Sequence, residues 1–160
     1  MYKEVVYLED IVDAMDAASD HWEQYLNVKT GKIVPLFDIN SVHISEENKA
    51  KSEEILLSHH YLLLPGYIDI NELLIMRGFI ETCKNLHQQE RLSHALKRLI
   101  PGRLFKQMIE ALDLAEEYYD WRRNELLGIA RAWCECHDIP FKCNQEQLDS
   151  WDEELDQEVV

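Results

Sequence analysis

The chain has 160 residues, and its composition excludes several classes of protein before any motif is considered. Apolar residues make up 46% and charged residues 29%, which excludes a fibrous or intrinsically disordered chain. Sixteen lysines and arginines against 31 aspartates and glutamates give a net charge of −15, which disfavours non-specific binding to nucleic acid. No apolar run approaches the ~20 residues of a membrane span, and no signal peptide is recognisable. The sequence therefore predicts a cytoplasmic protein without membrane contact, its four cysteines reduced.

Residues 144–160 differ in composition from the rest of the chain. They hold seven aspartates and glutamates and no lysine or arginine. This charge predicts an acidic, mobile extension that follows a single globular domain of residues 1–143. An alternative stays open, because Leu148, Trp151 and Leu155 recur at helical spacing, as in a short acidic helix that docks on a basic partner.

The N-terminal half predicts one helix and a β-hairpin. Residues 5–18 begin with an extended trio and continue with apolar residues at helical spacing. Two β-prone runs, 22–28 and 33–36, flank a polar loop in which Gly31 supplies a positive φ. Pro35 lacks an N–H donor, so the second strand must be short or lie at a sheet edge.

The remainder of the chain is predicted to be mainly helical. A helix capped by Ser45 ends near residue 58, and residues 61–64 are compatible with a third strand. Four further helices are predicted, the first capped by Asp69 and the others over about 88–99, 102–111 and 114–137. The first of these carries an apolar set consisting of Ile70, Leu73, Leu74, Met76, Phe79 and Ile80.

These elements predict an α+β fold that is mainly helical. An N-terminal helix and a small antiparallel β-hairpin pack on a C-terminal helical bundle. A two-stranded hairpin is marginal by itself, so it must pack on those helices or on a second chain, which leaves a homodimer open.

Several motifs together resemble those of a known family. They are the hairpin Thr30-Gly31-Lys32-Ile33-Val34, the helix Ile75-Met76-x-x-Phe79-Ile80, the segment Gly102-Arg103-x-Phe105-Lys106, and Trp121-Arg122 followed by Ala132-Trp133-Cys134. This arrangement resembles the uncharacterised bacterial family UPF0158 over most of residues 5–141. The family pattern is richer in glycine and arginine just before Phe105 than this chain is. The resemblance implies domain boundaries and no activity.

Thiols, histidines and carboxylates give no strong prediction of a metal or catalytic site. Two cysteines separated by one residue on a helix point about 200° apart, so Cys134 and Cys136 can share a zinc ion with His137 and Cys143 only if the helix ends there. Pro140 ends it nearby, but core packing of Cys134 is favoured. Neighbouring histidines in a strand face opposite sides of it, which is the case for His59-His60. The row Asp10, Asp13 and Asp16 is typical of a solvated helix face, and the alternative is a divalent-cation or acid–base site. We predict no metal ion and no cofactor, and we favour a non-enzymatic protein while an enzyme stays open as the alternative.

One segment is unusual for so acidic a chain. Residues 91–106 contain five lysines or arginines and no acid. The predicted anion- or partner-binding residues are Arg98, Arg103, Lys106, Arg122 and Arg123. The alternative is that these cations pair with carboxylates of the same chain. The sequence thus favours a non-enzymatic interaction or regulatory protein with a protein partner, and the alternative is a phosphate- or nucleic-acid-linked factor or enzyme that uses the same cations.

Overall fold

The computed structural model describes residues 3–17, 22–37, 46–66, 69–98 and 101–143. These ranges contain six helices and five short strands, which confirms the predicted mainly helical α+β class. The described residues divide into two compact units, which we call the terminal unit (described residues of 3–66 and 129–143) and the central unit (described residues of 69–128). The predicted cap Ser45 and the acidic segment 144–160 lie outside the described residues.

The elements follow the chain in a simple order: β1 (Val6–Tyr7), α1 (Leu8–Ala17), β2 (Trp22–Asn27), β3 (Ile33–Phe37), α2 (Glu46–Leu57), β4 (Tyr61–Leu63), α3 (Glu72–Thr82), α4 (Leu86–Leu96), α5 (Pro101–Ala111), α6 (Ala115–Cys136) and β5 (Phe141–Lys142). The longest is α6, with 22 residues. Within the described ranges, no helix combines the length and the apolar character needed to cross a membrane.

The terminal unit contains an antiparallel sheet with the strand order β3-β2-β4, so the predicted hairpin and third strand are both confirmed. Gly31 has a φ of 73°, as the hairpin loop requires. Pro35 stands opposite Gln24, whose backbone carbonyl accepts a hydrogen bond from Leu64 N of the β4 side at 2.9 Å. Because backbone groups alternate in direction along a strand, Pro35 points its missing donor away from β2. This is the edge position that the sequence predicts.

The core of the terminal unit includes the buried face of α1 and Leu26 of β2. The buried residues of α1 are those with helical spacing, namely Leu8, Ile11, Val12, Ala14 and Met15. Gln24 of β2 donates from Nε2 to the backbone carbonyl of Ala14 at 2.8 Å. That hydrogen bond satisfies a half-buried amide and joins sheet to helix.

A second, parallel pair of strands joins the two ends of the terminal unit. Val6 of β1 stands opposite Phe141 of β5, a pairing that the sequence does not indicate. Lys3 donates from Nζ to the backbone carbonyls of His137 and Asp138 at 2.8 and 3.3 Å. These carbonyls end α6, where a cation is favoured by the helix dipole.

The start of α3 corrects one prediction. The cap is Asn71 and not Asp69, because Asn71 Oδ1 accepts a hydrogen bond from Leu74 N at 3.2 Å. The stripe that α3 buries is centred on Ile75 and Phe79 and also contains Met76 and Ile80. Leu74 lies in α3 on the side opposite that stripe and is 61% exposed, so it does not belong to the buried face. Leu73, in the same set, is 40% exposed.

Helices α5 and α6 end in the same way. Asp113 and Asp138 follow them with φ values of 58° and 54°. Leu114 N then bonds to Ile109 O, and Ile139 N bonds to Cys134 O, each at 2.9 Å. These are Schellman caps that carry aspartate where glycine is usual. The buried Leu114 and Ile139 complete them with apolar contacts, so helix ends are well defined without a glycine signal.

Tyr118 lies at the centre of the central unit, with a fully buried side chain. Its ring makes edge-to-face contacts with Phe79 of α3 and Phe105 of α5, with centroid distances of 5.3 and 5.0 Å. Aromatic pairs at this distance and angle add to the burial of apolar area. One side chain of α6 therefore packs against two other helices of the unit.

Alkaline pH is expected to destabilise the folded protein through three buried or half-buried groups. Burial raises the pKa of the Cys134 thiol from 9.0 to about 12. Burial and the hydrogen bond to Glu23 raise the pKa of Tyr25 from 10.0 to about 12, and burial does the same for Tyr118. At a pH between the ordinary pKa of each group and its raised pKa in the folded protein, the unfolded chain has lost protons that the folded chain keeps. Raising the pH through this interval therefore favours unfolding.

Urea unfolding under reducing conditions at pH 8 and at pH 10.5 measures this effect. The free energy of unfolding should be lower at pH 10.5. The variant Tyr25→Phe removes one of the three titrating groups and should reduce the difference. A free energy that stays constant or rises over this interval would contradict the expectation.

Candidate functional site

The described residues of the acid-free segment 91–106 form the end of α4 with the turn that follows it (91–98) and the beginning of α5 (101–106). Asn85 fixes where α4 begins, because its Oδ1 accepts hydrogen bonds from His87 N and Gln88 N at 2.9 and 3.3 Å. Leu92 and Ala95 are the buried residues of α4, and they set its rotation about the helix axis. Consequently the cations of α4 lie on faces that are exposed to solvent.

Helices α4 and α5 enclose a groove with a volume of about 320 Å³, which we call the α4–α5 groove. On the α4 side it is lined by Arg91, His94, Ala95 and Arg98, and on the α5 side by Leu104, Gln107, Met108 and Ala111. One side thus carries two guanidinium groups, and the other is mainly apolar. This is the arrangement of a surface that binds an amphipathic, anionic ligand.

A hydrogen bond orients one of these arginines. Arg98 Nη2 lies 3.0 Å from His94 Nε2. A guanidinium group only donates, so Nε2 must accept and the ring proton is on Nδ1. The contact holds Arg98 along the edge of the groove and leaves its other donors available.

The predicted site residues do not all meet in this groove. Arg98 lines it, whereas Arg103 and Lys106 are exposed on α5 and are not among its lining residues. Buried Phe105 and Ile109 fix the rotation of α5, which directs Leu104 and Met108 into the groove. The groove instead contains Arg91, which belongs to the predicted basic segment but not to the predicted site.

Arg122 is already engaged by a carboxylate. Its Nη2 and Nε donate to Glu72 Oε1 at 2.7 and 3.2 Å, and Nε also lies 3.3 Å from Oε2. Such charge-assisted pairing gives the guanidinium group a fixed direction. This contact matches the alternative that cations of the chain pair with its own acids. Arg123, the next residue of α6, is half-buried.

A second cavity, of about 380 Å³, lies between α3 and α4. It contains Lys97 from the basic segment together with two acids, Glu81 and Glu90. Carboxylates and the ammonium group share this cavity, so it offers no concentrated positive charge to an anion.

The thiols and histidines do not converge. Cys134 is buried, Cys136 is exposed, and Cys143 donates from Sγ to Glu9 Oε1 at 3.4 Å. In the described part of the chain, no three histidine, cysteine, aspartate or glutamate side chains are placed to hold a metal ion. His59 is exposed, and the half-buried His60 has an Nδ1 atom without a hydrogen-bond partner among the described residues.

Helical spacing in the sequence indicates the groove, although a selection of residues by charge alone overlooks it. Arg91, His94 and Arg98 are spaced i, i+3, i+7, and Leu104, Met108 and Ala111 are spaced i, i+4, i+7. Either spacing puts three side chains on one face of a helix. Two such faces on consecutive helices indicate a groove between them.

Comparisons with known proteins add no assignment to this geometry. No family model matches the chain, and no curated protein or solved structure matches it. The chemistry of the groove therefore rests on its own residues.

Proposed function

We propose that this protein is a non-enzymatic interaction protein that binds an acidic segment of a partner protein in the α4–α5 groove. The proposal rests on one observation: the charged side chains of Arg91 and Arg98 and the apolar side chains of Leu104 and Met108 line the same groove. Apolar side chains supply affinity, and the arginines select for negative charge.

The two arginines are available to a ligand. Among the described residues, neither Arg91 nor Arg98 forms an ion pair, and the contact of Arg98 is with His94. The segment of residues 91–106 contains no acid that could neutralise them locally. In a chain with a net charge of −15, such a surface attracts an anionic partner locally while the rest of the molecule repels it.

The groove favours a protein segment over a phosphate group. Leu104 and Met108 give a phosphate nothing to bind, whereas they accommodate the leucines or aromatic residues of a peptide. Arg122 would have to leave Glu72 before it could bind a phosphate. A peptide that carries both apolar and acidic side chains uses every type of residue in the groove.

Fluorescence anisotropy tests the proposal with labelled peptides that carry leucine and glutamate, and with matched peptides that carry glutamine for glutamate. We expect the acidic peptides to bind, and to bind less tightly as salt screens the arginines. The double variant Arg91→Gln/Arg98→Gln should weaken binding about tenfold, since exposed ion pairs contribute up to about 1 kcal/mol each.

A matched double variant removes the same charge from another surface. Arg77→Gln/Lys84→Gln changes two exposed cations of the central unit that do not line the groove, and it should change affinity less than about twofold. Absence of binding by any acidic peptide would refute the proposal. Binding of inorganic phosphate or of a single-stranded oligonucleotide, lost in Arg103→Gln/Lys106→Gln, would favour the phosphate-linked alternative instead.

A further inference from the structure

The geometry of the α4–α5 groove points to a particular shape of ligand. We propose that the segment it binds is an amphipathic α-helix whose apolar stripe has acidic residues seven positions apart along one flank only. The inference rests on the proposed function and specifies the partner for the same groove.

The length of the groove suits two turns of a helix. Leu104 and Ala111 are seven residues apart within α5, which corresponds to about 10 Å along its axis. On the other side, Arg91 lies in α4 and Arg98 follows two residues after the end of that helix. A helix laid along the groove presents an apolar stripe to α5, and acids seven positions apart along the flank beside α4 then face both arginines.

Backbone hydrogen bonding favours a helix over an extended peptide. The N–H and C=O groups of α4 and α5 bond within each helix, so the walls of the groove offer no row of free backbone groups. A β-strand derives most of its affinity from such a row. A bound helix satisfies its own backbone groups and needs only side-chain contacts.

The two sides of the groove differ in charge, which makes the recognition one-sided. The α4 side carries Arg91 and Arg98, whereas the polar residue of the α5 side is the uncharged Gln107. Acids beside α4 gain ion pairs, whereas no groove-lining residue of α5 carries a charge that would compensate the desolvation of an acid there. The volume of about 320 Å³ is at the lower end for ligand pockets, which suits a few anchoring side chains.

Two designed helical peptides of equal composition test the inference. Both carry the same leucine stripe, and the first has glutamates seven positions apart beside it, whereas the second has the same glutamates on the opposite face. In fluorescence anisotropy the first should bind at least about tenfold more tightly, and Arg91→Gln/Arg98→Gln should abolish that preference. A central proline in the first peptide breaks the helix and should also abolish binding.

Ala111→Leu provides an independent measurement. Ala111 is exposed and lines the groove, so leucine there preserves the helix but occupies space that the ligand needs. Circular dichroism should show an unchanged fold, and affinity for the first peptide should fall at least about fivefold. Equal affinity of the two peptides, or full binding by the proline peptide, would overturn the inference while the proposed function stands. Absence of binding by either peptide, together with every other acidic peptide, would overturn the proposed function itself.

Discussion

Gly78→Ala is expected to lower the free energy of unfolding, whereas Gly128→Ala is expected to raise it. Both glycines lie inside helices, Gly78 in α3 and Gly128 in α6. Alanine is favoured over glycine in a helix by up to about 1 kcal/mol, so propensity predicts a gain at each position. At Gly78, however, a neighbouring side chain is expected to turn this gain in stability into a loss.

A Cβ atom at Gly78 would lie 3.0 Å from Cζ2 of Trp121. The indole ring has little freedom to move, because its Nε1 donates to the backbone carbonyl of Ile75 at 3.0 Å. Overpacking of this kind costs about 1–3 kcal/mol, which exceeds the gain in propensity. At Gly128 an added Cβ atom would meet no described neighbour within 4 Å, so the gain of about 1 kcal/mol should appear in full.

Urea unfolding of the two single variants measures whether their changes in the free energy of unfolding have opposite signs. We expect a net loss of about 1 kcal/mol for Gly78→Ala and a loss of about 3 kcal/mol for the larger Gly78→Leu. A double-mutant cycle with Trp121→Leu isolates the cause, because removal of the ring should make Gly78→Ala neutral or stabilising. A stabilising Gly78→Ala in the presence of Trp121 would contradict the close approach of α3 and α6.

The elements that local chemistry specifies are predictable from the sequence. The hairpin could be predicted, and is confirmed, since Gly31 and Pro35 each impose a backbone constraint that few local structures satisfy. The start of α3 is predicted wrongly because Asp69 and Asn71 are both competent caps two residues apart, and only the packing of the helix chooses between them. The pairing of β1 with β5 joins two-residue strands from opposite ends of the chain, for which no local pattern exists.

In the candidate site, too, local patterns are predictable from the sequence and contacts between distant residues are not. The acid-free segment is visible in the sequence, and it includes both Arg91 and Arg98. The ion pair between Arg122 and Glu72 spans 50 residues, so only the fold reveals that this cation is occupied. Selection by charge alone included Arg103, whereas selection by helical phase would have replaced it with Arg91. Phase along each helix is therefore the stronger guide to which cations share a surface.

Removal of the Tyr118 hydroxyl group is not expected to destabilise the protein, in contrast to the addition of a methyl group at Gly78. Its side chain is fully buried, and its hydroxyl group has no hydrogen-bond partner among the described residues. Burial of an unsatisfied hydroxyl group costs about 1–3 kcal/mol. Tyr118→Phe removes that group and keeps the ring against Phe79 and Phe105, so we expect the free energy of unfolding to stay constant or to rise by about 1 kcal/mol.

Tyr118→Leu removes the ring as well and separates the two contributions. It abolishes both edge-to-face contacts and leaves a cavity between α3, α5 and α6, with an expected loss of about 3 kcal/mol. Urea unfolding measures both variants at pH 7, which lies far below the pKa of Tyr118, raised by burial to about 12, so the hydroxyl group stays protonated. If Tyr118→Phe lost as much stability as Tyr118→Leu, the hydroxyl group would have to form a strong interaction in the folded protein. If Tyr118→Phe loses none, the ring alone accounts for the contribution of Tyr118 to stability, and the hydroxyl group has no part in holding α6 against α3 and α5.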